Sequence, residues 1–168
     1  MTRGNARELA VHLIYGRAFT GEEPEQVVTT RLDKEYYEKL SAENDVYSDR
    51  PSRAQLRYID SVVSGVANRE EELNAIIQKF SIGWDVSRIS KLTRCVMQLA
   101  IFEILYAEDV PTGVAISEAV RLAKKYDSSE TGSFVNGILG SFARSLNAPA
   151  AEAPAEEVIA EEAPAEEA

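Results

Sequence analysis

The sequence predicts an all-α protein, a helical bundle, and three observations carry that prediction. Val96 to Leu105 is apolar on nearly every side, which is the pattern of a helix at the buried centre of a bundle. Apolar residues on either side of it recur at helical spacing over long stretches. Between those stretches stand helix stop and start signals: Thr20-Gly21-Glu22-Glu23-Pro24, Ser52, Ser81-Ile82-Gly83 and Asp109-Val110-Pro111. Ten residues, eight of them apolar, are too few to span a membrane. The central stretch is therefore read as a hub on which the other helices pack.

Residues 3–18 read as an amphipathic helix with Leu9, Ala10, Leu13 and Ile14 toward one face. Arg3, Arg7 and Arg17 supply positive charge, and His12 has no Cys or His companion at metal-ligand spacing. Pro24 opens a second helix. Val28, Leu32, Tyr36 and Leu40 at four-residue spacing carry it to about Leu40. Residues 41–52 are polar and read as a loop, with Ser52 placed to cap the next helix. From Arg53 to Phe80 the apolar positions predict one long helix or two nearly collinear ones, with the spacing broken at Glu70. Trp84 is expected as a plug between helices. Pro111 suits a first helical turn, where a missing N–H costs nothing. Ile116, Ala119, Val120, Ala123 and Tyr126 mark the helix that follows. The last helix is expected to open near Thr131 to Ser133 and to bury Val135, Ile138, Leu139, Phe142 and Leu146. Gly137 and Gly140 within it each cost roughly 1 kcal/mol against alanine, which predicts a close approach by another helix.

The net charge of −10 is unevenly placed. Residues 148–168 hold seven glutamates and no basic side chain. The preceding 147 residues carry 18 basic and 21 acidic side chains, a balance of −3. The sequence thus divides into a helical domain, 1–147, and an acidic Ala/Pro/Glu tail, 148–168. Such a tail buries too little apolar surface to offset the entropy of ordering and is expected to be disordered. Its one apolar interruption is Val158-Ile159.

The sequence does not point to an enzyme. It has no Gly-rich phosphate loop. One Cys and one His make neither a zinc site nor a nucleophilic dyad. No cofactor or metal is implied. Cys95 falls in the buried-helix pattern and reads as an inert core thiol, which fits a reducing cytoplasm. Glu103 and Glu118 invite comparison with an acid–base pair. Glu103, however, lies inside the buried helix and reads as a carboxylate satisfied by an arginine or a helix end. Glu118 reads as an i, i+3 partner of Arg121.

Four blocks carry a resemblance: ARELAVHLIY (6–15), VMQLAIFEI (96–104), VPTGVAISEAVRLAKKY (110–126) and SFVNGIL (133–139). In this order they resemble the NusB family of bacterial transcription antitermination factors. The resemblance, with the intervening helices, covers about residues 3–146. It implies an all-α fold of two packed helical subdomains, about six to seven helices. It also implies cytoplasmic binding of boxA RNA from ribosomal-operon leaders, jointly with the ribosomal protein NusE. That complex joins elongating RNA polymerase and other Nus factors.

Carried onto this sequence, the resemblance places RNA contacts at Arg3, Arg7, Glu130, Thr131 and Phe134. Tyr15, which ends the first block, is a candidate for the protein-partner edge or the RNA edge. The residue types suit single-stranded RNA: arginines meet phosphates, an aromatic ring stacks on a base, and hydroxyl or carboxylate groups meet base edges. Gly4 and Asn5 interrupt the run of N-terminal arginines that the family often has. That departure motivates the alternative, a helical interaction or homodimer module with weakened RNA binding.

Overall fold

A computed structural model of the chain describes residues 1–147 apart from Trp84, Val86 and Arg88. The expectations for Trp84 and for the tail lie outside the described residues. Among those residues are eight α-helices: α1 (Arg3–Thr20), α2 (Pro24–Arg31), α3 (Lys34–Ser41), α4 (Arg53–Asn68), α5 (Glu70–Phe80), α6 (Lys91–Tyr106), α7 (Thr112–Tyr126) and α8 (Ser129–Asn147). One 3-10 turn, Asp45–Tyr47, lies between α3 and α4.

The count exceeds six to seven because two expected continuities are broken. The four-residue spacing from Val28 to Leu40 runs across Leu32-Asp33, where the helix stops and restarts. The Asp33 carboxylate accepts from the N–H groups of Glu35 and Tyr36 and so caps α3. Between α4 and α5, Arg69 leaves helical geometry at φ −124°, ψ 23°. That break falls beside Glu70, where the apolar spacing slips. The loop after α3 is less polar in place than in sequence, since Val46 and Tyr47 are buried.

Serine side chains start three of the helices. Ser52 accepts from Gln55 N–H while the Gln55 side chain accepts from Ser52 N–H, a reciprocal capping box. Ser90 caps α6 through Thr93 N–H at 3.1 Å. Ser128 accepts from Thr131 N–H at 3.1 Å, so α8 opens earlier than Thr131. Pro111 occupies the N-cap of α7 rather than its first turn.

α6 is the hub. It touches α1 and α4 from the N-terminal group of helices and α5, α7 and α8 from the C-terminal group. Met97, Leu99 and Ile101 are fully or almost fully buried, with Cys95, Val96, Ala100 and Phe102 close behind. Each such aliphatic side chain contributes about 1.5–3 kcal/mol on burial. Burial pushes the Cys95 thiol up to about 12, which makes it the inert core residue expected.

The glycines correct one expectation. A Cβ at Gly137 would meet nothing within 4 Å, and at Gly140 only the Arg144 guanidinium of the next turn. The close approaches are elsewhere. A Cβ at Gly65 would lie 2.2 Å from the Phe102 ring, and one at Gly132 2.6 Å from the Lys124 side chain. Gly65 lets α4 and α6 approach, and Gly132 lets α8 fold back on α7. The Gly137 face is open because no described helix covers that side of α8.

Candidate nucleic-acid interface

α1 packs against α4 and α6 and is linked to α7 through side-chain bonds. Leu9, Ala10 and Leu13 are buried completely. Just before them the chain also buries two charged residues, Arg7 and Glu8, at 2% and 1% exposure. The Arg7 guanidinium donates through Nε and Nη2 to both Glu103 oxygens, each at 2.8 Å. Its Nη1 stands 3.5 Å from Glu118. Tyr58 also donates to Glu103 Oε2, at 3.3 Å. Burial and the neighbouring Glu103 carboxylate both push the Tyr58 phenol well up.

This geometry corrects the expectation for Arg7. Its charge is spent inside the protein, on the carboxylate that α6 buries completely. A buried carboxylate without such a partner would carry a desolvation penalty of several kcal/mol. Glu103 is satisfied by an arginine, as its position in the apolar helix led one to expect. Glu118 does pair with Arg121, at 2.5 Å, and also faces Arg7.

Glu8 was not singled out by sequence. It accepts from Lys125 Nζ at 2.6 Å and from the Tyr126 hydroxyl, with Arg121 at 3.6 Å. Burial would raise its pKa, but the hydrogen bonds from Lys125 and Tyr126 outweigh that and hold it below the ordinary carboxylate value. His12, one turn on, is half-buried. Its Nε2 is 2.7 Å from the Tyr126 hydroxyl and its Nδ1 2.9 Å from the Tyr47 hydroxyl. Because Tyr126 donates to Glu8, its oxygen accepts from Nε2–H, and Nδ1 then accepts from Tyr47. Burial lowers the His12 pKa, against the pull of Glu8. The only sequence signal for this chain of bonds was that Glu8 and His12 are four residues apart.

Arg3 is at the surface. It pairs with Asp109, just before α7, at 2.7 Å, with side chains 56% and 74% exposed. Pairs of this kind contribute about 0–1 kcal/mol, so Arg3 can exchange its partner for a phosphate at little cost.

The other three expected RNA residues come together. Glu130, Thr131 and Phe134 line one groove of about 380 Å³ with Gly83, Asp85, Ile89, Ser90, Thr93 and Asp127. α8 places Glu130 and Thr131 in its first turn and Phe134 in its second. The Thr131 hydroxyl is 3.0 Å from that of Ser128. Phe134 is 9% exposed, so little of its side chain reaches the groove. Hydrogen bonds from the Ser87 hydroxyl and N–H hold the Asp85 carboxyl below its usual value.

The lining is informative chemically. Three carboxylates, Asp85, Asp127 and Glu130, stand around it, and among the described residues no Lys or Arg lines it. Such a groove accepts hydrogen bonds and offers an apolar wall. Those carboxylates suit the amino and imino donors of a base edge. Arg3 is remote from it: Arg3 sits near the start of α7, while the groove opens beyond its end. The 15-residue helix between them is about 21 Å long.

Tyr15 lies toward the C-terminal end of α1, half-buried, edge-on to Phe19 with ring centroids 4.9 Å apart. Phe19 is 62% exposed and carries Lys91 Nζ 4.6 Å from its ring centre. Tyr15 is thus at the margin of an exposed aromatic surface and belongs to neither of the two areas above.

The NusB family model matches residues 4–144. The transcription antitermination protein NusB of Acetivibrio thermocellus is 41% identical over 144 residues, 86% of this chain and 90% of that protein. Its counterpart in Symbiobacterium thermophilum is 34% identical over 150 residues, 89% of this chain and 94% of that one. Among solved structures, T. maritima NusB superimposes with a TM-score of 0.69 at 26% identity, covering 86% of this chain and 92% of that one. A structure of antitermination factors NusB and NusE in complex with dsRNA gives 0.67 at 24% identity, over 85% of this chain and 96% of that one, a likeness of fold. The match spans every helix from α1 to α8, and the chain belongs to the NusB family.

Proposed function

We propose that this chain is a transcription antitermination factor that binds boxA-type leader RNA of ribosomal operons together with NusE, and through them acts on elongating RNA polymerase. The observation that carries the reading is 41% identity to a NusB antitermination protein across 86% of the chain. Its role is binding, in the cytoplasm, with no catalytic step. Among the described residues no helix is long and apolar enough to cross a membrane.

In this reading the groove at the start of α8 receives an unstacked base. Phe134 supplies the apolar wall, and Glu130 accepts from an amino group of the base. Arg3 meets a phosphate at the start of α1. Arg7 supports that start from inside by tying α1 to α6. Tyr15, with Phe19 beside it, faces the protein partner.

The alternative, an interaction module with weakened RNA binding, gains support from one observation. Of the two candidate N-terminal arginines, Arg7 is buried and only Arg3 remains for phosphate. The two readings separate when the purified protein is titrated with boxA RNA, with and without NusE, across salt concentrations. Salt-sensitive binding that NusE strengthens supports the antitermination factor. Absence of RNA binding in both conditions favours the interaction module.

A further inference from the structure

A second groove, of about 390 Å³, runs along the open face of α8. It is lined by Phe80, Ile82, Glu130, Ser133, Phe134, Gly137, Ile138 and Ser141. Its floor is apolar, and Ile82 on its rim is 84% exposed. No described helix covers it, and Gly137 keeps its middle open. At the end nearer the C-terminus of α8 stand two cations. Lys79 Nζ lies 5.5 Å from the centre of the Phe80 ring. Arg144 leans back over Gly140 to donate to Ser141 at 3.1 Å. Neither cation is in an ion pair among the described residues.

The geometry points to an occupant within this chain: Val158-Ile159 of the acidic tail. These are the only aliphatic side chains larger than alanine, proline apart, between 148 and 168. They are bracketed by Glu156-Glu157 and Glu161-Glu162, which complement Lys79 and Arg144. The reach is sufficient. From Asn147 back to Ser141–Gly137 is about 9–15 Å along α8 at 1.5 Å per residue. The 11 residues from Asn147 to Val158 extend to as much as about 36 Å.

The seat has a consequence that rests on the RNA reading above. The two grooves share Glu130 and Phe134. A tail seated in the second groove brings carboxylates beside the first, where they repel RNA phosphates. Weakly held RNA is then excluded, while a boxA segment gripped also by NusE displaces the tail.

The test uses the full chain. Ala160→Cys receives a nitroxide label, Cys95 being buried, and the Ile methyl resonances are recorded. The expected result is selective loss of the Ile82 and Ile138 signals, with Ile14 and Ile59 unaffected. Val158→Ser with Ile159→Ser keeps the tail's charge and should restore both signals. Uniform spectra, or loss that survives the serine changes, overturns the seat. Loss seen only between labelled and unlabelled molecules assigns the groove to a second copy and also overturns it. Low-salt affinity for single-stranded boxA RNA is the separate arm. The serine variant should bind more tightly than the parent. Equal affinities with the seat intact overturn the competition. If neither protein binds RNA, the RNA reading fails while the methyl spectra still decide the seat.

Discussion

Arg7 and Glu103 meet through two hydrogen bonds of 2.8 Å in the centre of the molecule, 96 residues apart in the chain. Both side chains are almost wholly removed from water, at 3% and 0% exposure. The pair is a cross-link between α1 and α6. Removing Arg7 leaves the Glu103 charge buried without a cationic partner among the described residues.

Arg7→Ala is therefore expected to lower stability by about 3–5 kcal/mol, read as a fall in the denaturant midpoint. Arg7→Leu combined with Glu103→Leu should recover much of that loss, because neither charge then remains. A double variant as unstable as Arg7→Ala would contradict this account.

At Gly65 an added methyl must displace the Phe102 ring. Gly65→Ala should cost about 1–3 kcal/mol by overpacking. Gly137→Ala should instead be neutral or stabilise by up to about 1 kcal/mol through helix propensity, since its Cβ meets nothing. Thermal melts of the two variants decide the order.

Acid should weaken the fold in two stages. His12 has a lowered pKa in the folded protein, so the unfolded chain binds its proton first and stability declines as pH falls below about 6.5. Glu8 also has a lowered pKa. Its contribution is present above the unfolded carboxylate value and is lost as pH falls through the folded one. His12→Gln should flatten stability between about pH 7 and 5 and leave the lower stage in place. An unchanged slope in that window would remove His12 from the explanation.

For RNA, Phe134→Ala should weaken binding by about 1–3 kcal/mol if a base stacks there, with stability measured alongside because the ring is also core. Arg3→Ala should reduce the slope of log K against log salt by about 0.7, one single-strand phosphate contact. Asp109→Asn should tighten binding at low salt by releasing Arg3. An unaltered salt slope in Arg3→Ala would place the phosphate contacts elsewhere.

The helices were legible in the sequence because periodicity and capping are local. Ser52 and the apolar run of α6 state their roles within a few residues. Breaks were harder to read: Leu32 and Tyr36 keep their spacing across Asp33, and only the carboxylate's bonds to Glu35 and Tyr36 reveal the restart. Glu130, Thr131 and Phe134 share two turns of one helix, so a sequence block could point to them together. Arg7 could not be read in this way. Whether an arginine faces solvent or a carboxylate 96 residues away is a property of the packing, and its neighbour Arg3 shows the opposite result. Gly137 misled for a related reason: the spacing of glycines indicates where a helix is thin, and says nothing of what lies opposite.

α6 also sets an order on folding as the chain is synthesised. α1 and α4 both pack against it, yet it begins only at Lys91. A nascent chain that stops short of that point carries Leu9, Leu13, Ile59 and Val63 without the helix that completes their cover. The N-terminal half leaves the ribosome with its adhesive side exposed and with the Arg7 cation still awaiting its counter-ion. Helices α6, α7 and α8, by contrast, find their neighbours within a few dozen residues of sequence. The last segment made can thus assemble quickly, and the first is finished only when the later one arrives to receive it.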